Sequence, residues 1–243
     1  MPNLLSDPFN GILLVDKPTG PTSHDVVHKI RKTFRIEKVG HGGTLDPNAT
    51  GLLIILLGKG TKFSDIIMGS DKSYTGIMRL GRITSSQDCD GETLEERPFE
   101  HITREQALAE MAKLEGDIYQ TPPMVSAVKV EGVPLYKLAR KGQEVERKPR
   151  FVHVYRYELL DWAPPQVAIS VDCSKGTYVR TLVHDVGQAL GCGACLDALR
   201  RTKSGSFSVL NALAFDEILK LTREQLAERT IPLMQLASAV RGK

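Results

Sequence analysis

Two periodicities share this chain. Residues 11–18, GILLVDKP, form a short apolar run closed by a turn signal, which predicts a buried strand. Residues 22–34, TSHDVVHKIRKTF, shift to the helical period. Thr22 or Ser23 can cap that helix, and Val26, Val27 and Ile30 give it one apolar face. Residues 52–57, LLIILL, are too few for a helix and rich in Ile, which favours a second buried strand. A short helix over 61–69 closed by Gly69, a strand over 72–81, and a capped helix over 103–116 ended by Gly116 follow. QVAISVDCS (166–174) alternates cleanly: Val167, Ile169, Val171 and Cys173 share a face, and Ser170 and Asp172 point away. KGTYVRTLVHDVGQAL (175–190) turns through Gly176 into a helix with an apolar stripe of Val179, Leu182, Val183, Val186 and Leu190. Residues 194–209 are mixed in character, and 215–236 predict a helix or two. Interleaved strands and helices put the fold in the α/β or α+β class.

Two stretches break this pattern. GHGGTLDPNATG (40–51) crowds four glycines, a proline and an asparagine around one acid, Asp46, directly before a buried run. Residues 119–150 hold three separate proline sites and two glycine punctuations. Lys137, Arg140, Lys141, Arg147, Lys148 and Arg150 in their second half face only Glu144 and Glu146. That half is either a solvated loop face or an arm that touches phosphates.

Composition narrows the class. The 243 residues are 41% hydrophobic and 25% charged, ordinary for a globular protein. No apolar run approaches the length that spans a bilayer, and MPNLLSDPFN lacks the features of a signal peptide, so a cytoplasmic location is expected. The net charge of +3 permits a polyanionic partner without demanding one. Four cysteines are too few for a disulfide framework, and the C-x-x-C of Cys192 and Cys195 has no second pair to complete a zinc site. P-loop and dinucleotide fingerprints are absent.

Several residues could carry chemistry. Asp46 before proline in a glycine-rich loop is either a turn former or a carboxylate presented on a rigid loop for catalysis. Gly42 and Gly43 would let a substrate backbone approach. HDVVH (24–28) is one letter from a zinc-binding helix, but His24 falls in the first turn and Asp25 is shorter than the usual Glu; an exposed helix face is expected and no metal. Tyr74 is either a half-buried strand residue or a platform for a base. Arg180 sits at a helix start, where the macrodipole disfavours a cation, so an anionic partner is expected.

Six segments in order, LLVDKPTGPTSHDVV, VGHGGTLDPNATGLLIILLGKGTKF, DKSYTGIMRLG, TPPMVSAVKVEGVPLYKLARKG, CSKGTYVRTLVHDVGQALGCGA and LRRTKSGSF, together resemble TruB-type tRNA pseudouridine synthases. The resemblance runs from about residue 10 to about residue 215. It implies a pseudouridine synthase fold: a mixed, largely antiparallel sheet with flanking helices and an RNA-binding cleft. It implies conversion of uridine 55 in the TΨC loop of tRNA to pseudouridine, an isomerisation that needs no redox cofactor, metal or ATP. By resemblance, Asp46 acts on the ribose, Arg180 pairs with that acid, and Tyr74 stacks on the flipped base and serves later as a base. His41 contacts the RNA, Tyr178 and Leu199 line the uracil pocket, and Lys17 and Pro18 support the catalytic loop. Lys17, Lys137, Arg140 and Lys141 are also candidate RNA contacts.

The same resemblance implies a catalytic domain over 1–213 with a thumb-like arm at about 119–150, and a short helical tail over 214–243 as the remnant of a C-terminal PUA domain. It implies contact with the T-arm of tRNA; nothing in the sequence suggests an obligate partner, so a monomer is expected. The chain departs from the family pattern at Asn48, at Ser85, where an acid is usual, and at Cys195, where a histidine is common. A non-catalytic tRNA-binding or folding module is the rival reading, and a metallohydrolase built on HDVVH is a second.

Overall fold

The structure, a computed structural model, describes residues 8–126, 128–130, 132–139, 142–143 and 145–235. In chain order the strands are β1 (Gly11–Lys17), β2 (Val39–His41), β3 (Thr50–Leu57), β4 (Lys72–Leu80), β5 (Arg82–Thr84), β6 (Thr93–Glu96), β7 (Gly116–Gln120), β8 (Lys129–Val130), β9 (Val133–Pro134), β10 (Arg150–Ala163), β11 (Gln166–Cys173), β12 (Ala194–Ser204), β13 (Phe207–Ser208), β14 (Leu213–Ala214) and β15 (Ile231–Pro232). The helices are α1 (Ser23–Phe34), α2 (Ser64–Met68), α3 (Arg104–Ala112), α4 (Leu135–Ala139), α5 (Val179–Ala189), α6 (Phe215–Ile218) and α7 (Arg223–Arg229). The fold is mixed α/β with mostly antiparallel strands. It divides into two compact units, one holding the described residues up to Tyr74 and from Arg200 onward, the other Thr75–Leu199.

In the first unit β1 and β3 pair antiparallel from Gly11 opposite Leu57 to Lys17 opposite Gly51. β12 adds to β3 in parallel at Arg200 opposite Thr50 and Arg201 opposite Gly51. Every residue from Leu52 to Leu57 is buried. A strand covered on both faces reads as a continuous apolar run, which is why LLIILL lacks alternation. Leu52, Ile54 and Leu56 join Ile12, Leu14 and Ile67 in one core cluster. Helix α1 is fixed at its start by a reciprocal capping box between Thr22 and Asp25, and buries Val26, Val27, Ile30 and Phe34.

In the second unit the strand order is β4-β11-β10-β7, with β10 antiparallel to both neighbours. Val167, Ile169, Val171 and Cys173 of β11 are buried, as the alternation predicts. Helix α5 buries Val179, Leu182, Val183 and Val186, and α3 packs on α5 and β10. Two boundaries differ from the sequence reading. α3 ends at Ala112, and Gly116 (φ 86°) opens β7 instead of closing the helix. Residues 194–204 are one continuous strand, its mixed composition arising because its two adjacent arginines both find specific partners.

Ile54→Ala would empty a site with almost no exposure, so urea denaturation should show a loss of about 2–5 kcal/mol. A loss within experimental error would refute the assignment of this strand to the centre of the core.

Candidate active site

Asp46 is exposed on the loop between β2 and β3, while Leu45 and Ala49 on either side are buried. A turn closes locally, with Ala49 N–H donating to Asp46 C=O at 3.1 Å. Three buried polar side chains hold the rest of the loop. Lys17 Nζ, at the end of β1, donates to the carbonyls of Pro47 (2.8 Å), Ala49 (2.8 Å) and Pro18 (2.9 Å). Ser23 Oγ donates to Leu45 C=O (2.9 Å) and accepts from Leu45 N–H (2.8 Å). The Arg201 guanidinium donates to the carbonyls of Leu52 (2.8 Å), Thr44 (3.2 Å) and Gly43 (3.1 Å). Gly20 N–H adds a bond to Pro47 C=O at 3.0 Å. An irregular segment has no ladder to satisfy its carbonyls, so these donors take that role.

The glycines of this loop have packing roles. A Cβ on Gly42 would lie 2.4 Å from Ile67 Cγ2, so the residue lets the loop settle on α2. The expectation that it makes room for a substrate gives way to this contact, because Gly42 is buried. Gly43 adopts φ 132°, which side chains rarely allow. Asn48 is exposed, and its carbonyl accepts from Thr19 Oγ1 at 3.4 Å.

Electrostatics follow from this burial. Burial lowers the Lys17 ammonium to a pKa of about 8, against the opposing pull of the Asp46 carboxylate. His41 ends β2 and accepts from Gly43 N–H at Nδ1 (3.4 Å), which leaves Nε2 as its donor. Burial, then the charges of Arg201 and His24, hold its pKa below the ordinary value and keep the ring neutral. Tyr74 lies half-buried in β4, in the same unit as Asp46, His41 and Lys17.

Tyr178, Arg180 and Leu199 belong to the second unit. Tyr178 is the residue before α5, and buried Gln120 grips both its backbone groups: Tyr178 N–H donates to Oε1 (2.7 Å) and Nε2 donates to Tyr178 C=O (3.1 Å). Arg180 is buried, donates to Asp88 Oδ2 (3.0 Å) and Val125 C=O (2.8 Å), and lies 5.8 Å from the centroid of the Tyr178 ring. Leu199 packs toward Gly76 of β4, where an added Cβ would meet Leu199 Cδ1 at 3.5 Å.

Other candidates resolve differently. In HDVVH the Asp25 carboxylate accepts from Thr22 N–H and Oγ as a helix cap, and His24 and His28 are exposed. No cluster of metal-ligating side chains occurs among the described residues. Cys192 and Cys195 are buried, and burial pushes the Cys195 thiol up to about 11. Arg140 and Lys141 lie outside the described residues, as does the side chain of Lys137.

The N-terminal-domain model of the TruB family of pseudouridylate synthases matches residues 31–179. This chain belongs to that family. The model of the tRNA pseudouridylate synthase B C-terminal domain matches residues 180–240. A TruB-family relative from Opitutus terrae, named tRNA pseudouridine synthase B, is 52% identical over 96% of this chain and 97% of its own length. One of the same name from Stutzerimonas stutzeri is 47% identical over 93% of this chain and 74% of its own. Among solved structures, a chain from the crystal structure of a Cbf5-Nop10-Gar1 complex superimposes with a TM-score of 0.75 at 30% identity. That match covers 96% of this chain and 63% of the other.

Sequence reading missed Ser23 and Arg201, which hold the Asp46 loop in the first unit, and Asp88 and Gln120, which hold Arg180 and Tyr178 in the second. The signal for Arg201 was present as a basic pair: its neighbour Arg200 instead forms a two-point ion pair with Asp16, at 3.0 and 2.6 Å. Lys17 is fully buried with its ammonium spent on three carbonyls, which favours loop support over RNA contact.

The Lys17 pKa falls from 10.5 to about 8 on folding, so the unfolded chain binds more protons between those values. Folding therefore gains as pH rises from 8 toward 10.5, and the cost of burying the charge is in full force below 8. Urea denaturation of wild type and Lys17→Met across this range should show the wild type gaining stability relative to the variant. A pH-independent difference would refute the buried-ammonium assignment.

Proposed function

We propose that this TruB-family chain is a tRNA pseudouridine synthase that converts uridine 55 of the TΨC loop to pseudouridine. The observation that carries the reading is the Asp46 carboxylate, presented to solvent on a loop whose backbone is tied from three sides by Lys17, Ser23 and Arg201. The names of the relatives, tRNA pseudouridine synthase B, supply the substrate class.

The reaction explains the residue types. A uridine in a folded loop must be flipped out before a side chain can reach its ribose. Asp46 then acts on the ribose, by adding to C1′ or removing a proton at C2′. The C1′–N1 bond breaks, the uracil turns, and a C1′–C5 bond forms. As that bond forms, Asp46 leaves C1′, or on the other route returns its proton to C2′; the C5 proton leaves and N1 gains one, so atoms balance without a cofactor. Tyr74 stacks on the base and takes the C5 proton. Arg180 serves as counter-ion to Asp46; its anchoring by Asp88 and Val125 supports this, because a cation already held in place loses little freedom on pairing.

His41, a neutral Nε2–H donor, contacts the RNA beside the flipped nucleotide, and Tyr178 and Leu199 line the base pocket. Lys137, Arg140 and Lys141, on the arm over 119–150, contact phosphates of the T-arm. The same reading assigns catalysis to residues 1–213, with 214–243 as an appended tail, and has a monomer act in the cytoplasm. No helix among the described residues is long and apolar enough to cross a membrane.

Asp46→Asn should abolish pseudouridine formation in an unmodified tRNA transcript, as mapped by carbodiimide modification and primer extension, and leave tRNA affinity within a few-fold of wild type. Full turnover by the variant would remove Asp46 from the chemistry, and no pseudouridine from the wild type would favour the non-catalytic rival. Arg180→Ala should lower kcat by a hundredfold or more, with a smaller change in KM. A pure KM effect would remove the ion-pair role.

A further inference from the structure

Helix α1 carries a basic outer face that the reaction does not use. Val26, Val27, Ile30 and Phe34 turn inward. His24, His28, Lys29, Arg31, Lys32 and Arg35 are exposed, and so is Lys38 just beyond the helix. At 3.6 residues per turn, His24, His28, Arg31 and Lys32 fall on one stripe about 100° wide, on the side away from the buried residues. Arg35 caps the helix at the end of that stripe. None of the Lys29, Arg31, Lys32, Arg35 and Lys38 side chains forms an ion pair or hydrogen bond among the described residues. Arg97, Arg156, Arg180 and Arg200, by contrast, each meet a carboxylate.

The acids nearby are few and engaged. Asp25 is the one acid within α1, and its carboxylate accepts from Thr22 N–H (2.9 Å) and Oγ1 (2.6 Å). Exposed Glu37 is the other acid of residues 22–38. At the far end, Arg223 of α7 donates to Phe34 C=O, which adds a further cation there. Its neighbour Glu224 is held by its own backbone N–H and by Thr222. The helix dipole favours Arg31 and Lys32 in the last turn. It gives no account of Lys29 in mid-helix or of Lys38 beyond the end, and like charges one turn apart, such as Arg31 and Arg35, repel. Unpaired cations gathered on one face suit a polyanion.

Position selects which polyanion. α1 starts at the loop that carries Asp46: Ser23 Oγ bonds both backbone groups of Leu45, and the charge of His24 acts on His41. From there the helix runs for about 18 Å within the same unit. We propose that the outer face of α1, through Arg31, Lys32 and Arg35 with Lys29 and Lys38 beside them, binds backbone phosphates of the tRNA whose uridine is engaged at the Asp46 loop. The proposal rests on the reading of tRNA as substrate. Contacts of this kind set the register of the RNA on the protein and carry no sequence information.

The test is an Arg31→Gln/Lys32→Gln/Arg35→Gln variant, which removes three charges at exposed positions and keeps good helix formers there. Fluorescence anisotropy with labelled, unmodified tRNA transcript is measured over a series of KCl concentrations. Each phosphate contact contributes roughly 0.7–0.9 to the slope of log affinity against log salt, so the variant should be shallower than wild type by about two. Its affinity at low salt should fall tenfold or more, and Arg31→Lys/Arg35→Lys should keep the wild-type slope. An unchanged slope in the triple variant overturns the proposal, as does an equal loss in the charge-keeping variant. Unchanged tRNA affinity with lost flotation on phosphatidylglycerol vesicles would assign the face to a membrane surface and overturns it too. If wild type forms no pseudouridine in tRNA yet its slope depends on these three residues, the phosphate contact stands and the substrate reading falls. Normal pseudouridine formation with an unchanged slope does the reverse.

Discussion

The site depends on two buried cations bonded to backbone carbonyls. Lys17 and Arg201 are both shielded from solvent, and together they donate to six carbonyls in and around the loop that carries Asp46. Taking a charge out of water is expensive, and it is offset only when each N–H finds an acceptor. Hydrogen bonds to charged donors contribute about 1.5–3 kcal/mol each, and an irregular buried loop offers carbonyls that nothing else satisfies. The two needs cancel. The result is a loop whose backbone is rigid while one side chain, Asp46, stays accessible.

A similar device operates in the second unit. Gln120 uses both ends of its amide on the backbone of Tyr178, as a strand neighbour would, and so fixes where α5 begins. Arg180, in the first turn of α5, where the dipole disfavours a cation, is stabilised by Asp88 and a carbonyl. In both units, buried polar side chains fix the backbone that carries the residues proposed for the chemistry. Small errors in such placement are costly to catalysis, which is why the supporting residues are buried and fully bonded.

Some of this was legible along the chain. Alternation in 166–174 identified the inward face of β11, and the unbroken apolar run of 52–57 identified a strand covered on both sides. The helix over 22–34 was readable from its cap and its apolar face, although the cap pairs Thr22 with Asp25 and frees Ser23 to bond Leu45. The acid in GHGGTLDPNATG was visible as an oddity, and its candidacy grew only through the resemblance carried by distant segments.

Local sequence determined the elements and the residue types, because periodicity, caps and turn glycines act over a few residues. The partners were decided by tertiary structure. Adjacent Arg200 and Arg201 look alike in the sequence, yet successive strand positions face opposite ways, so one meets the carboxylate of Asp16 and the other the loop carbonyls. Lys17 reads as either loop support or an RNA contact until β1 and β3 pair and it is buried. Gly42 reads as open space until Ile67 closes on it. Each outcome depends on which segments are brought together, and hydrogen bonds of about 3 Å across 30 to 184 residues leave no periodic trace.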